Sequence, residues 1–175
     1  MPQIADSYEL EIKIPFNFPR ELPSVTEIAM RIPRDSDHHI NHDGTLCLGS
    51  PLRLRWKMAR NPSLIGFANE CLVPYLYGIS HKIIYRRFPF GELDHGKPGV
   101  IADYLDLFGL KTEEQVKQAL ILLGMKKRQA NKQACPCGCG ERLRACKFHN
   151  KINKFREVAD RSWFRSHLSK MGTDK

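Results

Sequence analysis

The sequence has no run of about 18 apolar residues, the length that a helix needs to cross a bilayer. Its first segment, MPQIADSYELEIKI, lacks the basic start and apolar stretch of a signal peptide. These two absences predict a cytoplasmic protein with no membrane partner. Hydrophobic residues are 42% and charged residues 27% of the 175, which excludes a disordered chain and predicts a globular one.

Acidic residues are scarce in the last third of the chain. Residues 111–175 contain 16 Lys and Arg against 6 Asp and Glu, whereas residues 1–110 contain 12 against 13. All of the excess positive charge therefore belongs to the C-terminal third. It predicts an acidic partner, which is a nucleic acid, an acidic protein surface or a phosphorylated ligand, with a solvated surface as the alternative.

Hydrophobic periodicity predicts an α+β fold. Apolar and polar residues alternate over residues 8–14 and 26–32, which predicts two strands with one buried face each, paired antiparallel through a proline-rich link. Residues 35–51 have the composition of a loop. Helices are predicted from Pro62 to about Pro74, which should end or kink the first; through 100–108; from a capping box at Thr112 to Gly124; and over 150–170.

Cys47 follows a polar loop that is rich in nitrogen-bearing side chains: His38, His39, Asn41 and His42. A lone cysteine is most often a small buried hydrophobe, as we expect for Cys71 on the apolar stripe of its helix. Imidazolium neighbours lower the pKa of a thiol, and an exposed loop admits substrate, so the pattern around Cys47 indicates a reactive thiolate. Asn41 or a histidine can donate to the oxyanion that develops in acyl transfer.

The order of strand, proline-rich link, strand, the segment HHINHDGTLCLG, a tryptophan and a helix resembles the catalytic core of ubiquitin-conjugating (UBC) enzymes. The resemblance covers about residues 7–80. In it, Cys47 matches the thioester cysteine, Asn41 and Gly44 match the turn of the family, and Trp56 matches its downstream tryptophan. The resemblance implies an antiparallel meander with a crossing helix, and a transferase that carries a protein C-terminus as a thioester on Cys47 and passes it to an amine.

The chain departs from the family at all three positions of the active-site tripeptide. The family's His-Pro-Asn falls on Asp37-His38-His39, so His39 stands where an asparagine is expected, and its donor role becomes pH-dependent. The family's N-terminal helix, which meets the activating enzyme, has no counterpart. The chain is most similar to bacterial UBC-like proteins of antiphage defence operons. That implies a cargo with a C-terminal glycine, either a cGAS-like nucleotidyltransferase or a ubiquitin-like protein, with or without an activating enzyme.

A second group of cysteines lies in the segment CPCGCGERLRACKFH. Four cysteines so close together predict a zinc site in a cytosolic chain, because zinc takes four sulfur or nitrogen ligands on tight turns. The segment resembles the SEC-C motif, in which Cys135, Cys137 and Cys146 match the first three ligands. The family's fourth ligand falls on Lys147. His149 is therefore the first choice for the fourth ligand, and Cys139 is the second.

These patterns predict three regions: a UBC-like core at 1–88, a helical extension at 89–130, and a zinc module with a C-terminal helix at 131–175. Three other functions stay open. The core can be a catalytically inactive adaptor, the basic zinc-containing third can bind nucleic acid, or Cys47 can serve a cysteine hydrolase. His95, in a loop flanked by glycine, is a further candidate acid or base for Cys47.

Overall fold

A computed structural model describes residues 3–89, 94 and 96–173. The chain divides into two compact units, residues 1–95 (unit 1) and 96–175 (unit 2). The α+β class is confirmed, because the described residues combine a two-stranded antiparallel sheet with helices. The sequence predicts a helical extension at 89–130 and a separate module at 131–175, and the structure assigns residues from 96 onward to one unit.

The two strands pair as the sequence predicts, but their buried faces differ from the prediction. Strand β1 covers Leu10–Lys13 and β2 covers Ser24–Glu27, with Leu10 opposite Glu27 in antiparallel register. The apolar side chains expected to line a buried face, Ile12 and Ile14, are 42% and 53% exposed. Val25 of β2 enters the core of unit 1 instead. Alternation of residue types therefore located the strand without identifying its buried side.

Strand β2 ends at Glu27, well before the end of the strand predicted over 26–32. The Glu27 carboxylate is fully buried and accepts hydrogen bonds from three backbone N–H groups: Ala29 at 3.0 Å, Arg31 at 3.0 Å and Ile32 at 3.4 Å. These bonds turn the chain through Met30, whose φ is 57°. Met30 is left exposed, and Ile32 becomes fully buried. The predicted second half of the strand is thus a turn built around a carboxylate.

Helix α1 spans Pro51–Met58, where the sequence predicts no helix. The hydroxyl of Ser50 accepts a hydrogen bond from the N–H of Arg53 at 3.3 Å, and Pro51 occupies the first turn. The segment LRLRWKM alternates apolar and basic residues, as a strand does. The Ser-Pro pair is the signal that identifies the start of this helix.

Residues 64–85 form a continuous helical segment with one wide turn in it. Helix α2 (Leu64–Phe67), a π-helical turn (Ala68–Leu72) and helix α3 (Val73–Tyr85) follow one another without a break. Helix α2 begins after Pro62, because the Ser63 hydroxyl accepts from the N–H of Gly66 at 3.0 Å. Pro74 does not end the segment: it lies in the first turn of α3, directly after the π-helical turn. Proline has no N–H, so Pro74 cannot donate to the carbonyl of Glu70 four residues earlier. That carbonyl accepts from Lys57 Nζ at 2.8 Å instead.

The first two helices of unit 2 are capped as the sequence predicts. Helix α4 covers Gly96–Phe108 and α5 covers Glu113–Gly124. Gly109 follows the last residue of α4 and has a left-handed φ of 63°. This conformation lets the N–H of Leu110 donate to the carbonyl of Leu105 in the last turn of the helix. Helix α5 begins with the predicted capping box between Thr112 and Gln115, which is confirmed.

The single C-terminal helix predicted over 150–170 is two helices, α7 at Phe148–Val158 and α8 at Arg161–Thr173. A short helix, α6, precedes the cysteine cluster at Lys127–Ala130. The chain breaks because Ala159 is extended and the Asp160 carboxylate accepts from the N–H of Trp163 at 2.8 Å, which starts α8. The apolar periodicity continues across this break, so it gave no sign of the second cap.

Helix α5 is the centre of unit 2 and packs against α4, α6, α7 and α8. The rings of Phe108 and Phe155 lie 4.7 Å apart at their centroids. The Arg156 guanidinium donates to the carbonyls of Leu122 at 2.7 Å and Met125 at 3.1 Å, where the negative end of the α5 dipole favours a cation. Burial lowers the pKa of Arg156, and the nearby Arg161 adds to this effect. Helices before and after the cysteine cluster therefore share one core.

Across the part of the chain that the structure covers, no helix combines the length and the apolar character needed to span a bilayer.

We predict that Glu27→Ala destabilises unit 1 by about 3 kcal/mol or more, because three backbone N–H groups would lose their acceptor in a dry site. Glu11→Ala is the control, since the Glu11 side chain is 53% exposed and pairs with the exposed Lys13. Urea unfolding would be followed by Trp56 fluorescence in a Trp163→Phe background, which leaves one of the two tryptophans. Equal midpoints for the two variants would contradict the role of Glu27.

Candidate functional site

Cys47 directly follows a small hairpin. Ile40 and Leu46 form an antiparallel bridge, and the turn between them is closed by the N–H of Asn41 donating to the carbonyl of Thr45 at 2.8 Å. Gly44 has a φ of 82°, which a residue with a side chain rarely adopts. The Asn41 side chain donates to Thr45 Oγ1 at 3.0 Å. Asn41 therefore stabilises the turn, and its amide is engaged there.

The hairpin is fixed to the core of unit 1 by its backbone. The N–H of Leu46 donates to the carbonyl of Val25 in β2 at 2.8 Å, and the N–H of Cys47 donates to the carbonyl of His39 at 2.7 Å. The Arg34 guanidinium donates to the carbonyl of Gly44 at 3.3 Å and also to the carbonyl of Glu27. The position of Cys47 is thus set by the same strand end and carboxylate turn that define β2.

The two histidines next to this hairpin have different environments. His38 Nδ1 lies 2.6 Å from Asp35 Oδ1, and this hydrogen bond holds the pKa of Asp35 below its usual range. The carbonyl of His38 accepts from Tyr75 Oη at 2.8 Å. His39 adopts a left-handed φ of 53°, and its ring packs edge-on against Phe88 with 5.3 Å between centroids. His38 therefore holds the loop in place, whereas His39 contributes its backbone carbonyl to Cys47 and its ring to an aromatic contact.

The pKa of Cys47 is shifted upward, whereas its histidine neighbours predict a downward shift. Burial raises the pKa of the Cys47 thiol, and a hydrogen bond with the backbone of Gly49 offsets part of that increase. Burial also raises the pKa of Tyr75, and the nearby Cys47 raises it further. The thiol is half-buried, so loss of water around its sulfur outweighs the expected activation. Burial therefore favours the protonated form of the Cys47 thiol.

Some of these contacts carry no local sequence signal. Tyr75 reaches the loop from α3, 37 residues away from its partner His38, and periodicity marks it only as part of a helix. Asp35 does have a local signal in the sequence. Its side chain accepts from the N–H of His38, three residues later, as the capping residue of a helical turn does, and here the turn is the 3₁₀ turn Ser36–His38. His95, the other candidate acid or base, lies outside the described residues.

The four cysteines of unit 2 form one cluster. The sulfurs of Cys135, Cys137, Cys139 and Cys146 all lie within 4.8 Å of one another, close enough to hold one metal ion. The Sγ of Cys137 is 3.2 Å from that of Cys135 and 3.6 Å from that of Cys146. The possible metal-binding cluster that the sequence predicts is therefore present as a set of converging thiols.

Backbone hydrogen bonds hold the loop that carries these sulfurs. The N–H of Cys135 donates to the carbonyl of Glu141 at 2.8 Å, and the N–H of Gly138 donates to the carbonyl of Cys135 at 3.3 Å. Gly138 and Gly140, with φ of 79° and 81°, give the loop its tight turns. The N–H of Phe148 donates to Cys146 Sγ at 3.4 Å, and such a donor stabilises the negative sulfur of a metal-bound thiolate.

The geometry favours Cys139 over His149 as the fourth ligand. Within the residues that the structure covers, the group that can hold a metal ion consists of the four cysteines. His149 belongs to the first turn of α7, where its Nε2 is 3.2 Å from Asn153 Nδ2. The first choice made from the sequence is therefore replaced by the second. The reason is that the two glycine turns bring Cys139 back towards its neighbours, while α7 gives the ring of His149 a different partner.

Comparison of the chain with protein-family models, with curated proteins and with solved structures gives no match. The candidate functions of the two sites therefore depend on their own geometry and chemistry.

We predict that Cys139→Ser weakens metal binding by more than the 10–100-fold typical of losing an outer contact, because it removes a ligand. His149→Ala should retain one metal ion per chain. Metal content after purification, and competition with a coloured chelator, would measure both. Loss of metal in His149→Ala together with retention in Cys139→Ser would reverse the assignment of the fourth ligand.

We predict that Cys47 is alkylated by iodoacetamide with a pH midpoint above that of the same thiol in a peptide of residues 44–50. Only the thiolate reacts, and a raised pKa moves its appearance to higher pH. Mass spectrometry of the peptide that carries Cys47, over a pH series, separates it from the other five cysteines. A midpoint below that of the free peptide would instead indicate activation by the histidines.

Proposed function

We propose that unit 1 is a ubiquitin-conjugating-like acyltransferase that carries a protein C-terminus as a thioester on Cys47. One observation carries the proposal: a partly accessible thiol is held at the end of a rigid hairpin, with the N–H of Cys47 bound to the carbonyl of His39 and the Gly49 backbone interacting with the sulfur. A carrier thiol needs a fixed position more than it needs mobility, because two protein substrates must reach it in turn. The helical segment α2–α3 behind the hairpin corresponds to the crossing helix of the family.

The reaction has two steps that share one sulfur. The Cys47 thiol gives its proton to a base or to water, and the thiolate attacks the activated carboxyl carbon of the cargo, which is an acyl-adenylate or a thioester. AMP or the donor's thiolate leaves as the new carbon–sulfur bond forms. An amine then attacks that carbon, the Cys47 thiolate leaves, and the amine proton passes to a base or to water. A thiol with a raised pKa gives a smaller fraction of thiolate, but each thiolate is the stronger nucleophile.

His39 is the residue best suited to assist this transfer. His38 is bound to Asp35, and the Asn41 amide is bound to Thr45, so both have roles in holding the loop. The backbone carbonyl of His39 accepts from the N–H of Cys47, which places this residue beside the nucleophile, and an imidazole N–H is a suitable donor to an oxyanion on the bound acyl group. His39 also has a left-handed φ, which asparagine, the residue of the family at this position, adopts readily.

The metal of unit 2 is zinc in a structural role. Four thiolates without an open position are the ligand set of structural zinc sites, and zinc–sulfur bonds of about 2.3 Å separate the sulfurs by about 3.8 Å. Two of the observed separations are 3.2 Å and 3.6 Å and all lie within 4.8 Å, so the sulfurs reach that geometry by movements of about 1 Å or less. Free thiols and zinc sites persist in a reducing compartment, so the cytoplasm suits this protein.

The cargo follows from the resemblance to bacterial defence proteins. It is a protein with a C-terminal glycine, either a cGAS-like nucleotidyltransferase or a ubiquitin-like protein, and an activating enzyme supplies its carboxyl in reactive form. Glycine suits this role because it leaves the carboxyl carbon open to attack by a half-buried thiol.

A catalytically inactive adaptor is the second candidate. The raised pKa of Cys47 favours it, because a protonated thiol is the ordinary state of a buried structural cysteine. The adaptor would present the same hairpin as a binding surface without forming a covalent bond.

We predict that the chain, incubated with a glycine-terminated cargo, its activating enzyme and ATP, forms an adduct that thiols release. Cys47→Ser should give a thiol-resistant oxyester or no adduct, and Cys47→Ala should give none, as read by intact-protein mass spectrometry with and without reductant. Cys71→Ala is the matched control, since Cys71 is 1% exposed. A thiol-sensitive adduct that persists in Cys47→Ala would overturn the assignment, and absence of any adduct would favour the adaptor.

Two substitutions at His39 add detail to that test. His39→Ala should slow acyl transfer by roughly 10²–10³, the cost of removing one oxyanion donor. His39→Asn should restore most of the rate and remove its pH dependence, because the amide donates without titrating. Loss of folding in both variants, as seen in a thermal melt, would make His39 a structural residue.

A further inference from the structure

A strongly basic surface lies beside the cysteine cluster of unit 2. Residues 126–147 contain seven basic residues and one acidic residue, Glu141. All seven basic side chains are exposed, and we call them the basic surface: Lys126, Lys127, Arg128, Lys132, Arg142, Arg144 and Lys147. Neither the thioester chemistry nor the binding of the metal makes use of this charge.

Two chain segments bring these residues together although they are separated in sequence by the cysteine turn. Ala134 and Arg142 form an antiparallel bridge, the N–H of Leu143 donates to the carbonyl of Gln133 at 2.8 Å, and that of Arg144 donates to the carbonyl of Asn131 at 3.3 Å. The chain leaves the antiparallel register after this bridge, because Leu143–Ala145 is a 3₁₀ turn, and the bond to Asn131 holds Arg144 beside the segment that carries Lys132. Leu143, between the two arginines, is fully buried. The segments on either side of the cysteine cluster therefore run side by side and present Lys132, Arg142 and Arg144 as exposed cations.

Internal ion pairs do not neutralise this charge. Among the ion pairs of the described residues, none includes a member of the basic surface, whereas Lys117 on α5 pairs with Glu113 at 3.0 Å. A divalent ion on four thiolates leaves a formal charge of about −2, which offsets only part of seven positive charges. The basic surface keeps a clear positive excess that an external anion must balance.

The chemistry of the surface distinguishes between the two classes of macromolecule that carry such anions. A protein partner needs large apolar anchors, such as aromatic residues, at the centre of its interface. Within the described residues of 126–147, no large hydrophobic side chain is exposed, and Leu143 and Pro136 are buried. Arginine and lysine without apolar anchors match the evenly spaced phosphates of a nucleic acid backbone.

We propose that the basic surface binds the phosphate backbone of nucleic acid without reading its sequence. The metal cluster sets the spacing of the two segments, so that Lys132, Arg142 and Arg144 reach successive phosphates together. Unit 2 then brings the chain to nucleic acid independently of any reaction at Cys47.

The test measures anisotropy of a fluorescent 20-base-pair DNA duplex, and of a single-stranded RNA of equal length, with the full metal-loaded chain over a salt series. The surface variant combines Lys132→Gln, Arg142→Gln and Arg144→Gln. Its log–log slope of affinity against salt should fall by about three, since each lost phosphate contact removes about one ion. The control combines Lys111→Gln, Lys154→Gln and Arg161→Gln, exposed residues of unit 2 outside the basic surface, and should keep most of the slope.

Each outcome decides for or against the proposal. Equal losses in the two triple variants would show that diffuse charge, not the basic surface, drives binding. Polyglutamate that competes as well as unlabelled duplex at equal charge concentration would indicate an acidic protein surface as the partner. Binding that survives in Cys47→Ser, disappears in the surface variant and resists polyglutamate supports the proposal. Equal metal content and melting temperature in both variants ensure that charge, and not folding, is compared.

Discussion

Backbone N–H groups outside helices and strands must find acceptors, and this constraint organises both units. In unit 1 the buried Glu27 carboxylate accepts three of them and thereby ends β2. In unit 2 the sulfur of Cys146 accepts the N–H of Phe148, and the carbonyl of Glu141 accepts the N–H of Cys135 across the glycine turns of the cysteine loop. Burying a backbone N–H without an acceptor costs about as much folding free energy as several surface contacts provide. These acceptors therefore fix the local backbone. The candidate sites lie directly beside them.

In unit 1 this constraint extends to the candidate nucleophile. Arg34 connects the carbonyl of Glu27 with that of Gly44, and Leu46 is bound to β2, so the hairpin that ends at Cys47 has little freedom to move. The same packing half-buries the thiol and raises its pKa. Precise positioning and easy ionisation oppose one another here. A carrier that receives an already activated acyl group tolerates that compromise better than a hydrolase, which must generate its own nucleophile repeatedly.

In unit 2 the cysteine cluster and the helical core are directly connected. Helix α7 begins at Phe148, two residues after Cys146, and its Arg156 caps the C-terminal carbonyls of α5. Phe155 on the same helix packs against Phe108. A change in the cysteine cluster would therefore disturb the start of a helix that the core depends on. The boundary predicted from the sequence near residue 130 divides residues that belong to one unit.

The sequence by itself determined the features that depend on near neighbours: the antiparallel pairing of two strands, the capping box at Thr112, the end of α4 at Gly109, the buried Cys71 and a cysteine cluster able to bind metal. Caps and ligand spacings are local, so a short segment contains all their atoms. The tertiary structure alone decided that Glu27 is buried while Ile12 is exposed, that Cys139 rather than His149 joins the thiols, and that the pKa of Cys47 is raised. These outcomes depend on burial, which is set by segments distant in the chain, and no local pattern contains that information.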